Sequence, residues 1–172
     1  MGILHGTIID EATGEKIDAK VHVLNAMGNF SHPHDPLLKR GPGTPFFFSD
    51  GEFDVYCARG RTDVLVERGT EYEPYRTTVE LPEKGSIDVE ILLRRWHHPQ
   101  QAHWYPGNTH IHYDENEKQP DRRLGVDCSV EGYNVTCVSV LDRRQLPYAS
   151  NKYPIGVMNE FKTAPHVLDV GE

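Results

Sequence analysis

Alternation of apolar and polar residues is the feature that most restricts how this chain can fold. In residues 87–94, every second side chain from Ile87 to Leu93 is apolar. Successive side chains of a β-strand point to opposite faces, so this period of two predicts a strand with one buried face. Similar runs recur up to residue 95, separated by turn signals at 49–51 and 82–85. The sequence therefore predicts a mainly β protein in which residues 1–95 form an antiparallel β-sandwich.

The pattern changes in the second part of the chain. Val135 to Leu141 is a nearly continuous apolar run, which is typical of a buried parallel strand. Thr109 to His112 and His166 to Val170 are further strand candidates. Residues 121–132 favour a helix between the strands at 109–112 and 135–141. This β-α-β order is typical of an α/β domain.

The α/β segment is expected over residues 108–172. It stops after about three strands, fewer than a parallel α/β domain normally needs to close its core, so we expect a truncated domain. Residues 96–107 are rich in proline, polar residues and tryptophan, and predict a linker. His97, His98 and His103 are interpreted as ordinary linker histidines, with a second metal site as the alternative.

Composition excludes several classes of protein. The 172 residues carry a net charge of −8 with no basic stripe, which disfavours a nucleic-acid partner. No run approaches the ~20 apolar residues of a membrane helix. The first residues show no signal peptide, so the sequence as given predicts a cytoplasmic protein, or an exported one if it is a fragment of a longer precursor. Three cysteines without a C-x-x-C pair favour buried free thiols.

Two histidines, His110 and His112, are the strongest candidates for a functional site. Residues two apart on a strand point to one face, so both imidazoles lie within reach of one ion. Imidazole is a ligand for zinc, iron, nickel or manganese. The alternative is a solvated or structurally hydrogen-bonded pair without a metal.

Two acidic residues are candidates for groups that orient metal ligands through hydrogen bonds. Asp114 closely follows the histidines, and its alternative is an ordinary solvated acidic loop. Asp142 lies at the carboxyl end of the apolar strand, where barrel enzymes keep functional residues. Its alternative is a salt bridge with the arginine that follows it.

Four segments of the first part share the strand and turn pattern of a known domain. They are residues 6–14, 19–23, 49–53 and 68–72. Through them, residues 2–94 resemble the carboxypeptidase regulatory-like, or transthyretin-like, domain. The resemblance implies an Ig-like sandwich with an accessory role, whose surface is a candidate for binding a glycan or a protein partner.

The second part has its own resemblance. Residues 104–112, 134–141 and 166–172 match successive segments of a hydrolase family. Through them, the second part resembles the start of a CehA/McbA-type metallohydrolase of the polymerase-and-histidinol-phosphatase (PHP) superfamily. This implies a distorted β/α barrel with two or three divalent metals that hydrolyses phosphoester, carbamate, ester or amide bonds. It also implies Glu172 as a metal ligand beside His110 and His112.

Two places depart from the family pattern. Many members carry Asp-His after the second strand, where this chain has Leu141-Asp142-Arg143. The family's liganding glutamate usually follows Gly-x, which would place it one residue beyond Glu172. Glu172 is the one candidate that the sequence as given contains. The resemblance therefore implies an active site that is incomplete in the sequence as given.

These observations predict the N-terminal portion of a divalent-metal-dependent hydrolase with an accessory β-sandwich. The metal is zinc, manganese or iron, the substrate is a small molecule, and no catalytic residue is assigned. One alternative is a transthyretin-like binding module without catalysis. Another is an intradiol-type iron dioxygenase, which also joins a sandwich to a His-Ile-His segment and adds tyrosine ligands.

Overall fold

The computed structural model describes residues 1–39, 43–140, 148–159 and 167–171. The chain forms two compact units, residues 1–97 and 98–172. The boundary between them falls inside the segment 96–107, for which the sequence predicts a linker. Each unit has its own buried core and is described by itself.

The described part of the first unit contains eight strands. They are β1 (Gly2–Asp10), β2 (Ala19–Leu24), β3 (Leu38–Lys39), β4 (Phe46–Ser49), β5 (Glu52–Cys57), β6 (Gly60–Glu67), β7 (Tyr75–Leu81) and β8 (Ser86–Leu93). One sheet has the order β5-β1-β8, and the other has the order β3-β4-β2-β6-β7. The mainly β fold predicted from the alternation is confirmed.

Both sheets contribute alternate side chains to one core. Fully buried members include Leu4 and Ile8 of β1, Val21 of β2, Phe47 of β4 and Val66 of β6. Full burial of an aliphatic or aromatic side chain stabilises a fold by about 1.5–3 kcal/mol. The polar residues between them point away from this core, so the two sheets form a sandwich with one apolar layer inside.

One strand pair corrects the prediction of a wholly antiparallel sandwich. β1 pairs with β5 antiparallel but with β8 parallel, from Ile3 opposite Ser86 to Asp10 opposite Leu93. No hairpin fixes the direction of this pair, because the other six strands of the unit lie between β1 and β8 in the sequence. The period of two predicts which face of a strand is buried, but it contains no information about the direction of its neighbour.

Gly6 leaves space for a neighbouring aromatic ring in the three-stranded sheet. It lies opposite Phe53 of β5, whose side chain is 6% exposed. A Cβ atom on Gly6 would lie 2.1 Å from the Cζ atom of Phe53. The Phe53 ring also packs edge-on against Phe47 at a centroid distance of 5.5 Å, so this glycine leaves room for an aromatic contact between the two sheets.

Four polar side chains join the ends of β1 and β8 to the loop between β6 and β7. The Tyr72 hydroxyl donates to Asp10 Oδ2 at 2.6 Å and accepts from Arg95 Nη2 at 2.9 Å. Arg95 also pairs with Glu71, with Nη1 and Oε2 3.3 Å apart. Tyr72, Asp10 and Glu71 are each buried, and their hydrogen bonds and ion pair meet most of the network's polar groups, but the buried Nε of Arg95 has no hydrogen-bond partner among the described residues.

The network lowers the pKa of Asp10. Burial by itself raises this pKa, but the Tyr72 hydroxyl, the backbone N–H groups of Ala12 and Thr13, and the Arg95 charge outweigh it. The ionised carboxylate is therefore favoured in the folded state more than in the unfolded chain. Its stabilisation is complete above the unfolded pKa of about 3.9 and is lost as the pH falls through the lower folded pKa.

The second unit is built around a mostly parallel sheet. Its described elements are β9 (Gly107–Ile111), α1 (Pro120–Val130), β10 (Val135–Ser139), β11 (Gly156–Val157) and β12 (Val167–Gly171), with short 3-10 helices at Pro99–Ala102 and Ala149–Lys152. The sheet order is β11-β12-β10-β9. β10 lies between β9 and β12 and is parallel to both, whereas β11 pairs with β12 antiparallel.

Helix α1 packs on one face of this sheet. It begins at Pro120, whose ring suits the first helical turn. Leu124 and Cys128 lie one turn apart and share a core with Val138 and Leu168 of the sheet. The helix ends before Gly132, which has φ of +74°. The β-α-β order predicted for this part is therefore present.

Substitution of Gly6 by alanine is expected to destabilise the first unit. The new methyl group would displace the Phe53 ring, and overpacking of this kind costs about 1–3 kcal/mol. Urea unfolding measures the change. In Gly6→Ala/Phe53→Leu the smaller side chain makes room, so part of the loss should be recovered. A Gly6→Ala protein as stable as the parent would contradict the close approach.

Substitution of Asp10 by asparagine is expected to destabilise the protein in a pH-dependent way. The penalty should be about 1–3 kcal/mol from pH 5 to 7, because buried partners of Asp10 lose a charged acceptor. It should shrink below pH ~4, as the parent carboxylate becomes protonated. Urea unfolding from pH 7 to 3 measures the penalty and its change with pH. The control is Asp88→Asn, at an exposed residue of β8. A penalty that is constant down to pH 3 would contradict the network.

Candidate metal centre

The two candidate histidines lie at the carboxyl end of β9. His110 is inside the strand, His112 follows it, and both are exposed. Ile111, between them, packs against the core of the second unit. The register of β9 against β10 shifts between Thr136 and Val138, and His112 lies just outside the strand, so regular alternation alone does not fix both side chains. The contact between the two rings shows that the imidazoles lie side by side.

The separation of the two rings fits one shared ion. The ring centroids of His110 and His112 are 5.4 Å apart, and the rings are almost perpendicular. With Zn–N bonds of about 2.0 Å, two imidazoles on one tetrahedral ion have ring centres about 5 Å apart. The spacing of the ring centres is therefore close to that of two ligands on one metal.

Ser139 supports one of these imidazoles. It ends β10, the parallel neighbour of β9, and its Oγ lies 2.9 Å from Nδ1 of His110. Metal-binding histidines commonly donate the N–H of the ring nitrogen that does not bind the metal to a nearby oxygen, which fixes the ring and its tautomer. A proton on Nδ1 of His110 leaves Nε2 free as a metal ligand.

Tyr148 supports the other imidazole. Its ring stacks on His112 with centroids 3.9 Å apart and planes 18° apart. The backbone of Tyr148 forms a bridge with Asp114, and the N–H of Ala149 donates to the Tyr113 carbonyl at 3.0 Å. These contacts hold the Tyr148 ring beside the histidine segment.

The carboxylates that follow the histidines have local partners. Asp114 Oδ1 accepts from the backbone N–H and from Nδ2 of Asn116, each at 2.9 Å. These hydrogen bonds hold the pKa of Asp114 below its ordinary value. Glu117 pairs with Arg123, with Oε2 2.7 Å from Nε. The described hydrogen bonds of Asp114 lie within its own turn, and none of them joins it to His110 or His112.

The remaining predicted residues, Asp142 and Glu172, lie outside the described residues. Within residues 1–39, 43–140, 148–159 and 167–171, no group of three or more His, Cys, Asp or Glu side chains is placed to hold a metal. Gly171, which precedes Glu172, aligns with Ser139 across the parallel pair β10–β12. The carboxyl ends of the three parallel strands thus meet at one edge, the usual position of functional sites in such sheets.

Sequence reasoning missed Ser139 and Tyr148. Ser139 is visible as a polar residue near the end of the predicted apolar strand, but its partner His110 is 29 residues away. Tyr148 follows a stretch without a regular pattern and lies 36 residues from His112. Pairing of this kind comes from the register of parallel strands and from loop geometry, which a local pattern does not contain.

Comparisons with known proteins find no matching family model and no matching curated protein. The minor pilin GBS52 of Streptococcus agalactiae gives a TM-score of 0.40 at 13% identity, over 57% of this chain and 45% of that one. The TIE protein of Bacillus anthracis gives 0.38 at 14% identity, over 64% of this chain and 19% of that one. The chain spans less than half of either protein, and likenesses this weak carry no inference.

In the described ranges, no helix has both the length and the apolar character needed to cross a bilayer. This agrees with the absence of a long apolar run in the sequence.

Removal of the Ser139 hydroxyl is expected to change the tautomer of His110. A hydroxyl donates as well as accepts, so the 2.9 Å contact with Ser139 Oγ suits either tautomer of His110. We predict the tautomer with the proton on Nδ1 at pH 8, because a metal on Nε2 requires it. In Ser139→Ala, a proton on Nε2 should become more populated. The 15N chemical shifts of the ring report the tautomer, with Ser129→Ala on α1 as the control. Identical ring shifts in parent and Ser139→Ala would contradict a supporting role for Ser139.

Proposed function

We propose that the second unit carries part of a divalent-metal site that hydrolyses an ester, carbamate, amide or phosphoester bond. His110 and His112 supply two ligands, and the sandwich is an accessory domain. The observation that carries the proposal is the pair of neighbouring imidazoles at the carboxyl end of β9. Nδ1 of His110 is also hydrogen-bonded to Ser139 Oγ. A divalent metal bound there would lower the pKa of a water ligand to ~7 and polarise the substrate.

Three protein ligands are typical of catalytic zinc sites, so two histidines alone make a weak site. We assign the third position to Glu172 from the family resemblance alone, since Glu172 lies outside the described residues. Tyr148 and Ser139 hold the two imidazoles in place, which lowers the entropy lost when a metal binds. The substrate is a small molecule, and a cytoplasmic location is part of the same proposal.

Metal binding is expected to depend on the two histidines. Calorimetric titration with zinc and with manganese should show binding to the parent and none to His110→Ala/His112→Ala. The matched control is His97→Ala/His98→Ala, which removes two imidazoles outside the candidate site and should bind like the parent. Affinity should fall at acidic pH, because a protonated imidazole cannot bind a metal. Loss of binding in the control, or its survival in the first variant, would place the metal elsewhere.

Hydrolysis is tested separately from binding. The metal-loaded protein is assayed with 4-nitrophenyl acetate and 4-nitrophenyl phosphate. Because two histidines make only part of a catalytic site, we expect turnover of both esters by this chain to stay near background. Turnover that EDTA removes and that His110→Ala/His112→Ala lacks would show that the site is already complete, and turnover that EDTA leaves intact would argue against a metal-dependent hydrolase.

The iron dioxygenase alternative has a distinct signature. Such an enzyme binds ferric iron through tyrosinate, and the tyrosine that stacks on His112 is Tyr148. Addition of ferric iron would then produce a visible absorption band that Tyr148→Phe abolishes. A colourless ferric protein supports the hydrolase proposal, which needs no tyrosine ligand.

A further inference from the structure

The outer face of the five-stranded sheet carries a cavity of about 590 Å³, within the range of small-ligand sites. We call it the outer-face pocket. Strand register builds it from two rows that cross β2, β6 and β7. The first row is His22, Leu65 and Arg76, and the second is Leu24, Asp63 and Thr78. Their neighbours Val23, Val64 and Val66 are buried in the sandwich core, so both rows face outward.

Each row combines one apolar side chain with two polar ones. Leu65 is the middle residue of the first row, and Leu24 begins the second. The two leucines are therefore diagonal neighbours on adjacent strands, which brings them within contact of a single small ligand. They give the pocket an apolar floor with polar groups on both sides.

The polar groups divide into fixed and available ones. His22 is buried, with Nδ1 2.9 Å from the Pro45 carbonyl oxygen and Nε2 2.9 Å from Glu67 Oε2. Both ring nitrogens already face acceptors, so His22 gives the pocket a rigid wall. Asp63 Oδ1 accepts from Thr78 Oγ1 at 2.6 Å and from Arg61 Nε at 3.2 Å. Its second oxygen, Oδ2, makes no hydrogen bond to the described residues.

Arg76 supplies the hydrogen-bond donors of the pocket through its guanidinium group. It is exposed, and it forms no hydrogen bond or ion pair with the residues that the structure describes. Asp63 lies diagonally across from it on β6. The pocket thus offers a cation and an anion together, so a singly charged ligand would meet one charge of its own sign.

From these contacts we infer that the outer-face pocket binds a small neutral saccharide. The C–H face of a sugar ring would lie on Leu24 and Leu65. Its hydroxyl groups would donate to Asp63 Oδ2 and accept from the Arg76 guanidinium. A saccharide combines an apolar face with donors and acceptors and carries no charge, which matches this lining on each count. The inference concerns the first unit and is independent of the proposed metal site.

The test uses the full chain and three disaccharides: maltose, cellobiose and N,N′-diacetylchitobiose. Hexanoate serves as an anionic comparison, because its chain suits the floor and its carboxylate suits Arg76. Binding is followed by saturation-transfer NMR and by titration. We expect at least one disaccharide to bind with a Kd of about 1 mM or tighter, and hexanoate to bind more weakly.

Two variants test whether a disaccharide binds in the outer-face pocket. Leu65→Trp fills the pocket with a larger ring and should abolish binding. Arg76→Ala removes a charged donor and should weaken binding by about tenfold or more. The matched control is Arg59→Ala, an exposed arginine that pairs with Glu83 and does not line the pocket, and it should bind like the parent. Circular dichroism checks that each variant is folded.

Three results would overturn the inference. One is the absence of binding by all three disaccharides at concentrations up to about 10 mM. Another is disaccharide binding that neither Leu65→Trp nor Arg76→Ala changes, which would place the sugar elsewhere. The third is tighter binding of hexanoate than of any disaccharide, which would assign the pocket to carboxylates.

Discussion

The rest of this structure depends on the opposite orientation of successive side chains along a strand. In the first unit this constraint buries Val64 and Val66 and leaves Asp63 and Leu65 on the outer face. In the second unit the partly buried Ile111 packs against the core, and the exposed His110 and His112 flank it. The apolar residues pack in the core and stabilise each sheet, and the residues between them are exposed and available to bind ligands. Both candidate sites therefore follow from the burial of their immediate neighbours.

Alternation determines the faces, but pairing between strands determines which residues meet. Ser139 reaches His110 because β9 and β10 run parallel and their carboxyl ends coincide. Leu65 and Arg76 share a row because β6 and β7 are antiparallel with a fixed register. A shift of either register by one residue would turn these side chains to the opposite face. The buried core prevents that shift, so packing energy inside each unit maintains the geometry of its surface.

Sequence reasoning succeeded where a signal was local. It predicted the strands of the sandwich and the β-α-β order of the second part. It failed for the parallel pair β1–β8 and for Ser139, Tyr148 and the outer-face pocket. Each of these requires contact between residues that are distant in the chain. The buried network at Asp10 is of the same kind, because Tyr72 and Arg95 reach it from other segments.

The histidine pair has no evident purpose in stability. Both side chains are exposed, and substitutions at exposed positions usually change the free energy of unfolding by less than about 0.5 kcal/mol. A hydrogen bond to Ser139 and an aromatic stack on Tyr148 add about 0.5–1.5 kcal/mol each, and many residue pairs make contacts of similar strength. Protonated imidazoles at this spacing would repel each other only weakly in water. What two neighbouring imidazoles offer that other exposed pairs lack is two nitrogen donors close together, and nitrogen is a donor type that zinc, iron and manganese accept.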